Sequence, residues 1–158
     1  MKKLLFLVMV LMLFSCSETR RLERSLNSLE SNVFTREQLQ SVGLTVSMLE
    51  TLYNGADTMT KEQEAEYIRS YYTFVQGMAA VMQEQGKPFR VWCRFYFEPD
   101  GTPGRCLMRF FKEDELSIDF QQSFIQFLRG YMKINKLNYT LGRRSAFCST
   151  INFETGKQ

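Results

Sequence analysis

The period of the apolar residues switches between two and 3.6 within residues 89–153, and this constrains the fold more than any other feature. Val91, Cys93, Phe95 and Phe97 alternate with Trp92, Arg94 and Tyr96. The run meets a dense turn signal, Glu98-Pro-Asp-Gly-Thr-Pro-Gly104. Alternation then resumes, with Cys106, Met108 and Phe110 set against Arg105, Leu107, Arg109 and Phe111. Two period-two runs around an Asp-Gly turn predict a β-hairpin. A two-residue Asp100-Gly101 loop would set Phe97 opposite Gly104, Phe95 opposite Cys106 and Cys93 opposite Met108. Cys93 and Cys106 then become diagonal neighbours at about 7–8 Å, too far for an unstrained disulfide. Over 117–133 the period is helical. Phe120, Phe124, Phe127, Leu128 and Tyr131 form one stripe, with Gln121, Gln122, Gln126, Arg129 and Lys133 opposite. Gly130 weakens its last turn by about 1 kcal/mol relative to Ala. Leu141-Gly-Arg-Arg144 turns the chain into a last strand, 145–153, with Phe147, Ile151 and Phe153 on one side.

Upstream the signals are helical. Thr60-Lys-Glu-Gln63 has capping-box form and opens a helix over 60–84. Its predicted buried face is Ala65, Ile68, Tyr72, Val75, Ala79 and Met82, and Gly86-Lys87-Pro88 ends it. Thr35-Arg-Glu-Gln38 is a second capping box, for a short helix ending near Gly43. Thr45 caps a segment over 46–53 that stops at Asn54-Gly55. Residues 17–34 are rich in Ser, Glu and Arg, with Leu22, Leu26, Leu29 and Val33 at helical spacing. They read as a tether that becomes a short amphipathic helix near the body. Of 158 residues 44% are apolar, enough for one core. The expected organisation is a signal over 1–15, a tether over 16–34, a helical segment over 35–86 and a strand-strand-helix-strand unit over 87–158. Residues 35–158 form one domain, an α+β fold with N-terminal helices packed on a small antiparallel β-β-α-β unit.

The N-terminus carries a separate message. Lys2 and Lys3 precede an uninterrupted apolar run, Leu4 to Phe14. That run suits an export signal and is too short to cross a hydrocarbon layer of about 30 Å. Leu13-Phe14-Ser15-Cys16 resembles the lipobox of bacterial lipoproteins, and Ser17-Glu18 resembles the surface-export signal of the Bacteroidetes type. The resemblance implies cleavage before Cys16 and a covalent lipid on its thiol. It places the protein on a membrane of the bacterial cell envelope, the outer membrane in the first instance. The competing readings are an ordinary signal peptide with a cysteine near the cut, or an uncleaved anchor. Several acyl chains, at about 0.8 kcal/mol per buried CH₂, hold a protein on a membrane. Cleavage removes Lys2 and Lys3 from the 20 basic side chains. That leaves 18 against 17 acidic ones, a net side-chain charge of +1. So small an excess gives no counterion-release drive toward nucleic acid.

The chain has no His, which excludes Ser-His-Asp and Cys-His nucleophilic chemistry and His-ligated zinc. Apart from Cys16, the cysteines are Cys93, Cys106 and Cys148. None has CxxC spacing, and all three sit in strand-like runs where a thiol behaves as a small buried hydrophobe. An odd number leaves one internal disulfide or an intermolecular role as the alternatives. Met78, Met82 and Met108 fit core positions.

From Phe89 to Phe153 the order strand, Asp-Gly turn, strand, helix, basic turn, strand resembles the TonB C-terminal domain family. The stretches that carry the likeness are Arg94-Phe-Tyr-Phe-Glu-Pro-Asp-Gly101, Gly142-Arg-Arg144 and Ile151-Asn-Phe153. Lys136-Leu-Asn-Tyr139 stands where members of that family often have Trp-x-Pro. A lipid anchor would replace the transmembrane helix through which an energy transducer meets its motor. The resemblance therefore implies partner binding, partly by strand addition, and not energy transduction.

Trp92, Arg94, Tyr96, Arg105 and Arg109 share the face opposite Cys93, Phe95 and Phe97. An exposed Trp/Tyr/Arg cluster has the composition of a binding hot spot. The competing expectation is that the 60–84 helix covers this face and leaves the arginines at its rim. Carboxylates at Glu98, Asp100, Glu113, Asp114 and Glu115 are the candidates for acid/base work, but they fall in turns, where acidic residues are commonly only solvated. The sequence thus points to a membrane-anchored, non-catalytic accessory subunit of an envelope complex. It would bind an envelope protein through the aromatic-arginine face or a sheet edge, with no cofactor beyond the lipid on Cys16. A small-ligand or glycan binder is the alternative, and a carboxylate hydrolase the third reading.

Overall fold

A computed structural model describes residues 19–54, 58–82 and 88–153. It opens with a helix over 19–27 (α1). There follow β1 (Val33–Phe34), α2 (Arg36–Ser41), α3 (Val46–Leu52), α4 (Lys61–Met82), β2 (Phe89–Phe97), β3 (Pro103–Phe110), α5 (Ile118–Ile134) and β4 (Ser145–Phe153). The strands form one mixed sheet in the order β1-β3-β2-β4, so the class is α+β. The signal, Cys16, Gly55 and the Gly86-Lys87 stop lie outside the described residues.

The hairpin forms the centre of the sheet. Phe95 pairs with Cys106 and Cys93 with Met108, as the alternation requires, but Phe97 pairs with Pro103 rather than Gly104. The cause is the turn. Gly101 N–H donates to the Glu98 carbonyl, Glu98 N–H donates to Thr102, and Gly101 adopts φ +83°. This makes a three-residue loop ending in a left-handed glycine, which adds a bulge to the ladder. β4 then pairs antiparallel with β2 over all nine residues, Phe89 with Phe153 through Phe97 with Ser145. The β-β-α-β unit is thus antiparallel as expected, and the sheet becomes mixed only through a strand from outside it. Two-residue β1 pairs parallel with β3, setting Val33 beside Cys106.

Both long helices cover one face of the sheet. Tyr67, Tyr71, Phe74 and Met78 of α4 and Phe124, Leu128 and Tyr131 of α5 join Cys93, Phe95, Phe97, Met108, Ile151 and Phe153 in the main core. The three methionines expected in the core are all buried. Buried phenols need partners, and the three in this core have them. Tyr67 Oη bonds Ser145 Oγ at 2.9 Å, Tyr71 Oη bonds Ser149 Oγ at 2.7 Å, and Tyr131 Oη donates to the Phe74 carbonyl at 2.7 Å. The buried face of α4 is therefore rotated from the expected one. Tyr72 is 51% exposed, and the Tyr67-Tyr71-Phe74-Met78 stripe takes its place. The stripes compete because both have helical spacing. The one whose hydroxyls find serines on β4 is the one buried.

The opposite face is covered by the N-terminal segment. Leu26, Phe34, Leu39, Leu44, Leu49 and Tyr53 form a second cluster on Tyr96, Leu107 and Ala146. Both short helices start as expected: Thr35 and Gln38 close a capping box, and the Thr45 side chain accepts from Met48 N–H. Residues 19–34, expected as a tether, are instead part of the body. Leu26 is 2% exposed, and Val33 and Phe34 lie in the sheet. The three-to-four spacing of Leu22, Leu26 and Leu29 does make a helix, but its apolar stripe packs on the sheet rather than waiting in solvent.

Candidate functional site

The second face is only half covered, and the five residues expected to form a site divide at the edge of the cover. Tyr96 is fully buried. Its ring meets Tyr53 edge-on at 5.1 Å, and burial pushes its phenol up to about 12. Arg105 donates to the Leu26 carbonyl at 3.3 Å and to Asn27 Oδ1 at 2.8 Å, which fastens α1. Arg94 pairs with Glu50 of α3 at 3.1 Å. These three dock the N-terminal helices. Trp92 and Arg109 stand at the margin of the cover as a directly paired cross-strand couple: Trp92 is half-buried and packs against the N-terminal cluster, and Arg109 is exposed.

Around that couple the structure forms a groove of about 670 Å³. Trp92, Leu107 and Phe110 line it, α2 contributes Arg36 and Glu37, and the segment after β3 contributes Phe111 and Lys112. Phe111 sits between two guanidinium groups, Arg90 at 4.7 Å and Arg109 at 5.3 Å from its ring centre. Such stacking fixes a flat cationic surface beside the indole. Arg90 is neutralised by Asp114, which accepts from its side chain at 2.9 Å and from its backbone N–H, and this holds the guanidinium charged. Arg36, Arg109 and Lys112 make no ion pair among the described residues. The alternation Arg109-x-Phe111 already put Phe111 on this face. Nothing in the sequence placed Arg36 here, because α2 reaches the groove only through the packing of Leu39.

Of the five candidate carboxylates, Glu98, Asp100 and Asp114 are engaged structurally. Glu98 accepts from Tyr53 Oη at 2.8 Å and from Arg144 Nε at 3.0 Å, while Arg144 also reaches Glu23 at 2.7 Å. Burial and the bond to Glu98 push the Tyr53 phenol up to about 12. Asp100 accepts from the backbone and hydroxyl of Thr102, which holds its carboxyl below the usual range. Among the described residues no three metal-ligating side chains converge, and no helix is long and apolar enough to cross a membrane.

Cys93, Cys106 and Cys148 are free. Cys93 and Cys106 are buried as expected, and burial pushes the Cys106 thiol up. Cys148 is exposed, contrary to expectation. It lies on the open face, opposite Arg94, on a strand with no outer neighbour.

No protein-family model matches the chain, and neither the curated proteins nor the solved structures give a match.

Proposed function

We propose that this chain is an envelope lipoprotein, anchored by lipid on Cys16, that acts as a non-catalytic protein-binding subunit of an envelope complex. The observation that carries the binding half of this reading is the groove beside Trp92. An apolar floor, an indole and three unpaired cations lie together where the helical cover stops. Trp and Arg are the residues that dominate interface energetics, and a protein that needed the surface only for its own stability would have covered it. The anchoring half rests on Lys2, Lys3, the Leu4–Phe14 run and Ser15-Cys16. The likeness to the TonB C-terminal domains adds partner binding in general and no specific partner.

The test is a cross-linked pull-down from native envelopes with the full chain, Cys16 intact, beside a Trp92→Ala/Arg109→Ala variant. A stoichiometric protein captured by the first and lost from the second is the expected result. Equal capture by both would move the interface away from the groove. Capture by neither, with a sugar or small amphiphile raising the melting temperature of the first alone, would replace this reading with ligand binding. A groove of about 670 Å³ is within the size range of such sites. Anchoring is tested separately: Cys16→Ser should lose labelled fatty acid and leave the membrane fraction.

A further inference from the structure

We infer that two copies of this chain pair antiparallel through the outer edge of β4, making one continuous eight-stranded sheet. The inference is independent of the groove and of the anchor.

The hydrogen-bond pattern shows which backbone groups face outward. Cys106 N–H donates to the Asn32 carbonyl, so the even-numbered residues of β3 point their backbone groups toward β1 and the odd-numbered ones toward β2. The register Tyr96–Arg105, Arg94–Leu107, Trp92–Arg109 then directs the even-numbered residues of β2 toward β3. The odd-numbered ones, Val91 to Phe97, bond β4 through Ile151, Ser149, Phe147 and Ser145. It follows that Ala146, Cys148, Thr150 and Asn152 present their N–H and C=O groups to the outside. Among the described residues, no backbone bond from a turn or cap reaches them.

Natural sheets protect such edges with short strands, charged side chains, proline or bulges. The other edge of this sheet follows the rule: β1 has two residues. β4 does not. It has nine residues, Ser-Ala-Phe-Cys-Ser-Thr-Ile-Asn-Phe, with no charge, no proline and no shift of register against β2. Cys148, Thr150 and Asn152 are exposed along it.

The second copy is the occupant that this edge specifies. With a two-fold axis at Ser149 all nine residues pair. Ala146 then faces Asn152 of the second copy, and Cys148 faces Thr150. Outward groups meet outward groups at every step, which an isologous contact requires. Because the strand is uncharged, self-pairing brings no like charges together. The second copy carries an equally long and uncharged strand of its own.

The same register puts the two Cys148 thiols at diagonal positions, about 7–8 Å apart. A short bis-maleimide can bridge them. The experiment treats the full-length protein, in mild detergent, with that reagent and follows sedimentation in parallel. Wild type should give a covalent dimer that Cys148→Ser abolishes, while Cys148→Ser itself still sediments as a dimer. Thr150→Pro removes an outward N–H that the monomer does not use, and edge strands tolerate proline. It should weaken self-association about tenfold or more and keep the native circular dichroism. Thr150→Lys, which adds a charge at the same point, should do likewise. A monomer at every concentration would overturn the inference. So would a dimer untouched by both Thr150 variants, or a bis-maleimide product joining Cys148 only to a different protein.

Discussion

Gly77 lies midway along α4, where Tyr131 of α5 reaches it. A methyl group added there would stand 2.7 Å from the Tyr131 hydroxyl oxygen and 3.9 Å from ring carbon Cζ. The first distance is well inside the roughly 3.5 Å of an optimal contact, and the second is ordinary. The hydroxyl is not free to swing. It donates to the Phe74 carbonyl at 2.7 Å, and its ring packs edge-on against Phe74 at 5.2 Å. In a helix interior Gly→Ala normally stabilises by about 1 kcal/mol. Displacing a buried hydroxyl from its acceptor costs about 2 kcal/mol. Gly77→Ala should therefore destabilise by about 1 kcal/mol, which lowers the melting temperature of a domain this size by about 2–4 °C. Tyr131→Phe removes the obstructing oxygen, and in that background Gly77→Ala should stabilise by about 1 kcal/mol. The coupling of about 2 kcal/mol, with a reversal of sign, is measured by urea denaturation of the four proteins. If Gly77→Ala stabilises both backgrounds alike, the hydroxyl moves aside at no cost and the reasoning from close approach is refuted.

Three further outcomes follow from the packing. Among Cys93, Cys106 and Cys148, only Cys148 should react with a maleimide in the native protein. Rapid labelling of Cys93 or Cys106, mapped by mass spectrometry, would contradict the closed core. Replacing Glu98 with Gln should cost about 1 kcal/mol, because two charge-assisted bonds are weakened but the site is partly solvated. An unchanged urea midpoint would mean that water already screens the contact. Tyr53, Tyr67 and Tyr96 all have phenols pushed up to about 12, mainly by burial. A folded-state value above the unfolded 10.0 favours the fold fully below pH 10, and that contribution is lost as pH rises toward 12. Alkaline unfolding should thus coincide with a late step of phenolate absorbance. A complete phenolate signal from all seven tyrosines with intact circular dichroism would contradict it.

The sequence was legible where a local pattern and its partner lay close together. Phe95–Cys106 and Cys93–Met108 follow from alternation and one turn, as do the starts of α2 and α4 at Thr35 and Thr60. Phe97 slipped because Asp-Gly also serves a loop one residue longer. The face of α4 is legible only in part: Val75 and Met82 are buried as its period requires, but Tyr71 and Tyr72 are equally apolar by type. What separates them is Ser149, 78 residues away, which no helical period reveals. β1 left no signal at all, since two residues cannot display a period. Cys148 was legible as lying opposite Phe147, but the step from strand to burial fails at an edge. Of the groove, Trp92, Arg109 and Phe111 could be placed on one face from the alternation alone. Arg36 needed the tertiary path of α2.

The open groove has a geometric origin. A sheet has two faces, and this chain spends its two long helices, of 22 and 17 residues, on one of them. The other face is left to α1 and to helices of six and seven residues. At 1.5 Å per residue the longer of α2 and α3 spans about 10 Å, whereas a nine-residue strand runs about 30 Å. Each of these two helices buries one leucine, Leu39 or Leu49. Cover of that length buries Tyr96 and Ala146 at one end of the sheet and reaches Trp92 only in part. Lengthening α2 at its N-terminus cannot close the gap, because Thr35 caps it immediately after Phe34 leaves the sheet. The exposed surface is therefore set by the chain's own connectivity, which leaves Trp92 half-buried and Arg109 exposed at its boundary.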